Sequence, residues 1–201
     1  PTLGAVILAS MNKRLGRRFT NSAGWLVLLA WLCLACFTPR PLQAQSAALL
    51  AVEPAEAAIE PAETVSLDIV IQDAVNLYGV ELRLAYDPAT LQMVDADSDA
   101  EGIQALPGSF LDVSQGFLVA NQADNEAGEL VYAMTLLAPA EPVAGAGLLL
   151  EVTFRGAGEG ISALDLAPSI LASAEGQTLP FIAQRGRIVV GDPGPATPVP
   201  P

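Results

Sequence analysis

Hydrophobic and polar residues alternate along much of the chain between residues 47 and 192. In Gly79–Tyr86, the apolar side chains at positions 80, 82 and 84 are separated by Glu81 and Arg83. A period of two residues is typical of a β-strand that buries one face. Together with the turn residues between segments, this pattern predicts nine strands: Ala48–Val52, Thr64–Ile71, Gly79–Tyr86, Leu91–Asp95, Gly116–Gln122, Glu129–Leu137, Gly147–Arg155, Ser162–Ala172 and Gly186–Val190.

No segment keeps a helical period of 3.6 residues, and only Pro88–Gln92 fits a single helical turn. Turn residues recur between the predicted strands, as at Asp87-Pro88, Pro107-Gly108 and residues 156–160. About nine strands with regular turns predict an all-β sandwich, most simply one with jelly-roll topology.

The first 45 residues have the composition of a secretory signal peptide. A basic segment that starts near Met11 precedes the apolar stretch Trp25–Phe37, which has 13 residues. This length suits a signal peptide, whereas a membrane-spanning helix needs about 20 apolar residues. We predict cleavage after Ala44 and translation from Met11. Lipidation at Cys33 or Cys36, which would tether the domain to a membrane, is the alternative for this segment.

The chain ends in the proline-rich segment 192–201, which suits an extended linker or tail. The sequence thus divides into residues 1–45, a domain over residues 46–191, and the tail. The domain contains no cysteine, so its stability depends on a packed core and not on disulfides. About 145 residues are enough for one such domain.

Loss of the leader makes the chain strongly acidic. The remaining basic residues are Arg83, Arg155, Arg185 and Arg187, against all 22 acidic residues, which gives a formal net charge of −18. A surface of this charge repels nucleic acid and anionic membranes. We therefore expect neither a nucleic-acid partner nor membrane insertion of the mature domain.

The segment Gly79–Val94 contains the motif Gly-Val-Glu-Leu-Arg-Leu-Ala-Tyr-Asp-Pro and then Leu91. This motif and the later Leu106–Phe110, Gly128–Tyr132 and Gly147–Phe154 resemble, in the same order, segments of cohesin domains. The resemblance covers about residues 47–191. It implies a sandwich fold like that of cellulose-binding modules. It also implies a role in binding dockerin modules during assembly of extracellular polysaccharide-degrading machinery.

The Tyr86-Asp87-Pro88 turn has structural roles in our interpretation. We expect Tyr86 to fill the end of the sandwich, Asp87 to cap the turn, and Pro88 to fix its backbone so that Leu91 returns to the core.

In cohesins the dockerin lies against the outer face of the sheet that contains the Gly-Val-Glu-Leu-Arg strand. The resemblance therefore implies that Gly79, Glu81 and Arg83 form part of a partner-binding face. The alternation along this strand independently predicts that Glu81 and Arg83 point outward. Asn121 and Gln122 are further candidates for the same face. A merely solvated strand surface is the alternative for each residue.

Catalytic chemistry has few candidates in this sequence. The chain has no histidine, and the predicted mature domain has neither cysteine nor lysine, which removes the usual general base and two common nucleophiles. No pair of carboxylates is placed by the sequence across a cleft, as a glycosidase requires. We therefore predict that the protein is not an enzyme.

The densest acidic segment is residues 95–102. Asp95, Asp97 and Asp99 have the spacing that begins a calcium-binding loop, but Ala100 and Leu106 replace the glycine and the bidentate acid of such a loop. We predict a solvated acidic loop and no cofactor, with calcium at the three aspartates as the alternative.

The predicted function is that of a secreted, non-catalytic binding module, free or tethered at the cell surface, for a dockerin-like protein. The first alternative is a carbohydrate-binding module for extracellular polysaccharide. Such modules stack sugars on exposed aromatic rings, but both tryptophans, Trp25 and Trp31, lie in the leader. The second alternative is a structural sandwich domain of the cell surface.

Overall fold

The structure is a computed structural model that describes residues 47–192. Within this range, fourteen β-strands form three sheets, and one turn of 3-10 helix spans Val113–Gln115. The six-stranded sheet contains β1 (Ala48–Glu53), β3 (Thr64–Leu77), β5 (Leu91–Val94), β6 (Leu106–Pro107), β9 (Val143–Gly156) and β13 (Phe181–Gln184). The five-stranded sheet contains β4 (Gly79–Ala85), β7 (Gly116–Asp124), β8 (Glu129–Leu136), β11 (Ile170–Ala172) and β12 (Thr178–Leu179). The three-stranded sheet contains β2 (Glu56–Ile59), β10 (Gly160–Leu164) and β14 (Gly186–Val190).

Antiparallel pairing dominates the two larger sheets, and the three-stranded sheet has one antiparallel and one parallel pair. The six-stranded sheet has the order β13-β1-β3-β9-β5, and β6 also pairs with β9. The five-stranded sheet has the order β12-β11-β4-β8-β7, so that β4 and β8 are central and β7 is an edge strand. The three-stranded sheet has the order β10-β14-β2. The only parallel pairs among the described strands are β1 with β13 and β2 with β14.

The inner faces of the two larger sheets form a single hydrophobic core. Leu82 and Leu84 of β4 and Val152 and Phe154 of β9 are at most 1% exposed. The rings of Tyr86 and Phe154 pack in a T-shaped arrangement, with the ring centroids 5.0 Å apart. No α-helix occurs in residues 47–192, and the predicted all-β sandwich is confirmed.

The predicted turn after β4 is also confirmed. The Asp87 carboxylate accepts hydrogen bonds from the backbone N–H of Ala89 and from the Thr90 hydroxyl, each at 3.0 Å. Tyr86 is buried and donates its hydroxyl to Asn125 Oδ1 at 2.7 Å. Leu91, the first residue of β5, is fully buried, as the predicted return of the chain to the core requires.

The predicted strand Ser162–Ala172 is wrong as a single element. Its first part is β10, which pairs with β14, and its last part is β11, which pairs with β4 in a different sheet. Between them, the Asp165 side chain accepts the backbone N–H of Ala167 at 3.1 Å, and Pro168 has no backbone donor. The local turn therefore ends one ladder and lets the chain pass to the other sheet.

The other differences concern strand number and length. The structure adds four strands to the prediction, namely β2, β6, β12 and β13, none longer than four residues. β3 runs on to Leu77 because bulges keep it paired with β9, and Asp73 and Asn76 take positive φ angles of 54° and 60° there.

The predicted leader (residues 1–45) and all but the first residue of the predicted tail (192–201) lie outside the described residues. Within 47–192, no helix is long and apolar enough to cross a membrane.

Replacing Phe154 by alanine tests the dependence of the fold on core packing. We expect Phe154→Ala to lower the free energy of unfolding by about 3–5 kcal/mol, because it leaves a cavity beside Tyr86. Ile182→Ala is the control, since Ile182 is 62% exposed and its loss should change stability by less than about 0.5 kcal/mol. Urea unfolding of both variants measures the difference, and equal losses would contradict the packing argument.

Alkaline pH should destabilise the fold through Tyr86. Burial, and to a lesser degree the charge of Asp124, raises the pKa of Tyr86 from 10.0 to about 12. Because the folded state holds the phenolic proton more tightly, this stabilisation is complete below pH 10 and is lost as the pH rises through 12. The free energy of unfolding should therefore fall across this window, and Tyr86→Phe should reduce the fall. Urea unfolding at a series of pH values measures it, and an unchanged slope in the variant would contradict the assignment.

Candidate functional site

The outer face of the five-stranded sheet is built by alternation along its central strands. On β8, the core-facing residues Leu130, Tyr132, Met134 and Leu136 are buried, and the residues between them are half-buried. On β4, the same alternation places Glu81 and Arg83 outward, as the sequence predicts. We call this surface the outer sheet face and define it by Gly79, Glu81, Arg83, Gln122, Glu129, Val131, Ala133 and Thr135.

An ion-pair network occupies one end of the outer sheet face. Arg83 contacts Glu81 at 3.0 Å through Nη2 and Glu129 at 3.1 Å through Nη1. Hydrogen bonds from its side chain to Glu81, and then to Glu129, raise the pKa of Arg83 above its usual value. The register explains the network, because Arg83 lies opposite Val131, two residues from Glu129 on the same side of β8. One guanidinium is thus shared by two carboxylates.

The other end of the outer sheet face is apolar or uncharged. Gly79 lies opposite Thr135, and Ala133 lies opposite Glu81. A Cβ atom at Gly79 would lie 3.3 Å from both the Met134 carbonyl oxygen and Thr135 Oγ1, so a side chain there would crowd β8. Gly79 therefore allows the close approach of β4 and β8 at this end.

The two candidates on β7 lie on opposite sides of the strand. Gln122 pairs with Val131 and is exposed, so it belongs to the outer sheet face. Asn121 pairs with the core-facing Tyr132, and the structure does not bring it to that face. Its amide instead accepts the backbone N–H of Ala105 at 3.0 Å and donates to the carbonyl of the same residue at 2.8 Å. Asn121 therefore holds the loop before β6 against β7.

β7 carries an exposed apolar segment that is not among the predicted site residues. Phe117, Leu118 and Val119 are 59%, 38% and 62% exposed, at a register shift between Leu118 and Ala120. Three consecutive apolar residues, in place of an alternating pattern, were the available signal in the sequence. Phe117 is the only aromatic residue among the large exposed hydrophobic residues of 47–192, so these residues offer no aromatic row on which a sugar chain could stack.

Two clefts flank this segment of β7. The first has a volume of about 420 Å³ and lies between β7 and the loop 96–107; its lining includes Asp97, Glu101, Gln104 and Val119. The second, of about 360 Å³, lies at the start of β7 and includes Leu137.

Carboxylates of the acidic loop, residues 95–102, accept hydrogen bonds from backbone N–H groups of the loop and of Gln104. Asp95 Oδ1 accepts the backbone N–H of Asp97 at 3.1 Å and that of Gln104 at 3.0 Å, and Asp97 Oδ1 accepts that of Asp99 at 3.1 Å. In residues 47–192, no three or more acidic, histidine or cysteine side chains are grouped so that they could hold a metal ion. The side chains of Asp95 and Asp97 thus stabilise the backbone turns of this loop.

No protein-family model and no curated protein matches this sequence. Similar solved structures are cohesins. A non-cellulosomal cohesin from the hyperthermophilic archaeon Archaeoglobus fulgidus is 16% identical, with a TM-score of 0.55 over 73% of this chain and 93% of that chain. A type II cohesin domain from the cellulosome of Acetivibrio cellulolyticus is 21% identical, with a TM-score of 0.60 over 71% of this chain and 95% of that chain.

The third cohesin of ScaC from Acetivibrio cellulolyticus, solved in complex with the ScaB dockerin, is 14% identical. Its TM-score is 0.57 over 71% of this chain and 98% of that chain. At these identities the likeness shows the fold, which is that of a cohesin.

Substitution of Asn121 and of its neighbour Gln122 separates a structural residue from a surface residue. Asn121→Ala should lower the free energy of unfolding by about 1–3 kcal/mol, because the buried backbone N–H and carbonyl of Ala105 lose their partner. Gln122→Ala, at an exposed position, should change it by less than about 0.5 kcal/mol. Denaturant unfolding measures both, and a neutral Asn121→Ala would show that the loop is not held in this way.

Proposed function

We propose that this chain is an exported, non-catalytic binding module that docks a dockerin-type protein on its outer sheet face. The observation that supports this most directly is the composition of that face. It is a nearly continuous sheet surface, half-exposed, with one shared ion-pair network and small apolar residues beside it. A surface of this kind suits contact with another folded protein better than enclosure of a small ligand.

The similar solved structures support the same partner class. The ScaC cohesin is bound to a dockerin, and other similar cohesins are also solved as complexes with dockerins. The Archaeoglobus cohesin is described as non-cellulosomal. We therefore propose a dockerin-type protein as the partner. From the resemblance, we expect this partner to belong to polysaccharide-degrading machinery.

The chemistry of the described residues does not favour catalysis. Asp112, Asp124 and Glu175 each have a pKa lowered by hydrogen bonds. The general acid of a glycosidase needs the opposite shift, towards a raised pKa, so these three carboxylates do not suit that role. Residues 47–192 also contain no histidine, lysine or cysteine. We infer that the protein acts by binding.

Capture of the partner tests the proposal. The purified chain, immobilised and exposed to the secreted proteins of its source organism, should retain a dockerin-bearing protein with calcium and release it with a chelator. The reason for the calcium dependence is that dockerins, in the family that this sequence resembles, carry the calcium. Insoluble polysaccharides pelleted with the chain are the parallel arm, and co-sedimentation without protein capture would instead support sugar binding.

Charge reversal at Arg83 locates the contact. Arg83→Glu should reduce capture at least about tenfold, because it removes the ion-pair network and sets three mutually repelling carboxylates side by side, which disrupts the outer sheet face. Arg187→Glu is the matched control, since Arg187 also pairs with a glutamate, Glu56, but in the three-stranded sheet. If the two variants capture the partner equally well, the partner does not bind on the outer sheet face.

A further inference from the structure

The first half of the edge strand β7 is not covered by a neighbouring segment of residues 47–192, and it forms an apolar edge beside the outer sheet face. We define the apolar edge as Phe117, Leu118, Val119 and Leu137. Leu137, 51% exposed, is held next to the start of β7 by a hydrogen bond from its backbone N–H to the Gln115 carbonyl at 3.0 Å. An edge strand with several exposed apolar residues is unfavourable in water unless something covers it.

The two halves of β7 differ in how they are covered. In the second half, Ala123 donates its backbone N–H to Ile103, and Asn121 binds Ala105, so the loop before β6 lies along the strand. In the first half, Val119 is the extra residue of the bulge and has no partner opposite it on β8. The apolar edge is thus the part of β7 that this loop leaves open, and each of the two clefts opens beside it.

Acidic residues line the larger cleft beside the apolar edge and precede β7 in the chain. Asp97 and Glu101 line the larger cleft, and Asp112 caps the 3-10 helix that leads into β7. Hydrogen bonds from Ser114 and Gln115 lower the pKa of Asp112, which keeps its carboxylate charged. The only arginine of the outer sheet face, Arg83, is already shared by two glutamates.

A second copy of this chain fits the apolar edge poorly. Two such edges brought together would also bring together their acidic rims, each on a chain that carries a formal net charge of −18 after loss of the predicted leader. A partner with basic groups around an apolar centre is complementary in both respects.

On the basis of the proposed docking function, we propose that the apolar edge is the main anchor for the partner. The partner segment presents apolar side chains to Phe117 and Val119 and lysine or arginine side chains to the acidic groups beside them. The ion-pair network of Arg83 then orients the partner and contributes less to affinity, because its charges are largely satisfied within the chain.

The test uses two synthetic helical peptides, one of leucine and lysine and one of leucine and glutamate, with leucine on one face of each. Titrated into the isotope-labelled chain, the lysine peptide should shift amide resonances of residues 116–120 and 137, and the glutamate peptide should not. Val119→Ser should weaken binding of the lysine peptide about tenfold, since the apolar side chain that the peptide covers on binding is lost. Ile182→Ser is the control, because Ile182 and Val119 are both 62% exposed and Ile182 lies on β13 of the other sheet.

Shifts spread evenly over the acidic surface, or equal binding by the two serine variants, would overturn the proposal. The same variants in the capture experiment separate it from the docking function. Loss of dockerin capture in Arg83→Glu but not in Val119→Ser would overturn the anchor and leave the docking function intact. Mapping of the lysine peptide to the apolar edge without any dockerin capture would support a binding site for a basic, apolar segment at this edge and overturn the docking function.

Discussion

The pairing of β4 with β8 determines both the core and the outer sheet face. Successive side chains of a strand point to opposite sides, so a slip of one residue would expose Leu82 and Leu84 and bury Glu81 and Arg83. Burial of unpaired charges costs far more than the strand pairing returns. The core therefore selects one register. This register also places Arg83 where it reaches Glu129, so the network on the face is a consequence of the packing beneath it.

The scarcity of cations shapes the rest of the surface. Arg83, Arg185 and Arg187 are each engaged in ion pairs, and Arg155 donates to Gln92 at 3.1 Å. Most carboxylates therefore have no cation beside them. The register of the six-stranded sheet even sets Glu53 opposite Asp68, and Asp68 opposite Glu151. Like charges in this arrangement are unfavourable, and salt screens them where the half-buried Asp68 and Glu151 and the exposed Glu53 reach solvent. Such a surface discourages self-association and favours a partner that supplies positive charge.

Alternation in the sequence correctly predicts the longer strands that bury only one of their two faces. β1, β4 and β8 follow their predicted ranges to within one residue at each end. Strands such as β6 and β12 have two residues each and exist because a longer neighbour offers free backbone groups, which no local pattern reveals. The division of Ser162–Ala172 also depends on which sheet each half can reach. For the candidate site, the outward direction of Glu81 and Arg83 was predictable for the same reason as the core.

The placement of Asn121 was not predictable, because a bulge in β7 reverses which alternate side chains point outward. Simple alternation from the outward Phe117 would put positions 119 and 121 on the same face. The extra residue at Val119 shifts this pattern, so that Ala120 and Gln122 lie opposite the outward residues of β8, and Asn121 lies opposite Tyr132. There its amide can bind both backbone groups of Ala105 and fix the loop that forms one wall of the larger cleft. One inserted residue thus leaves Val119 without a partner opposite it on β8 and accounts for the failure of the alternation pattern at Asn121.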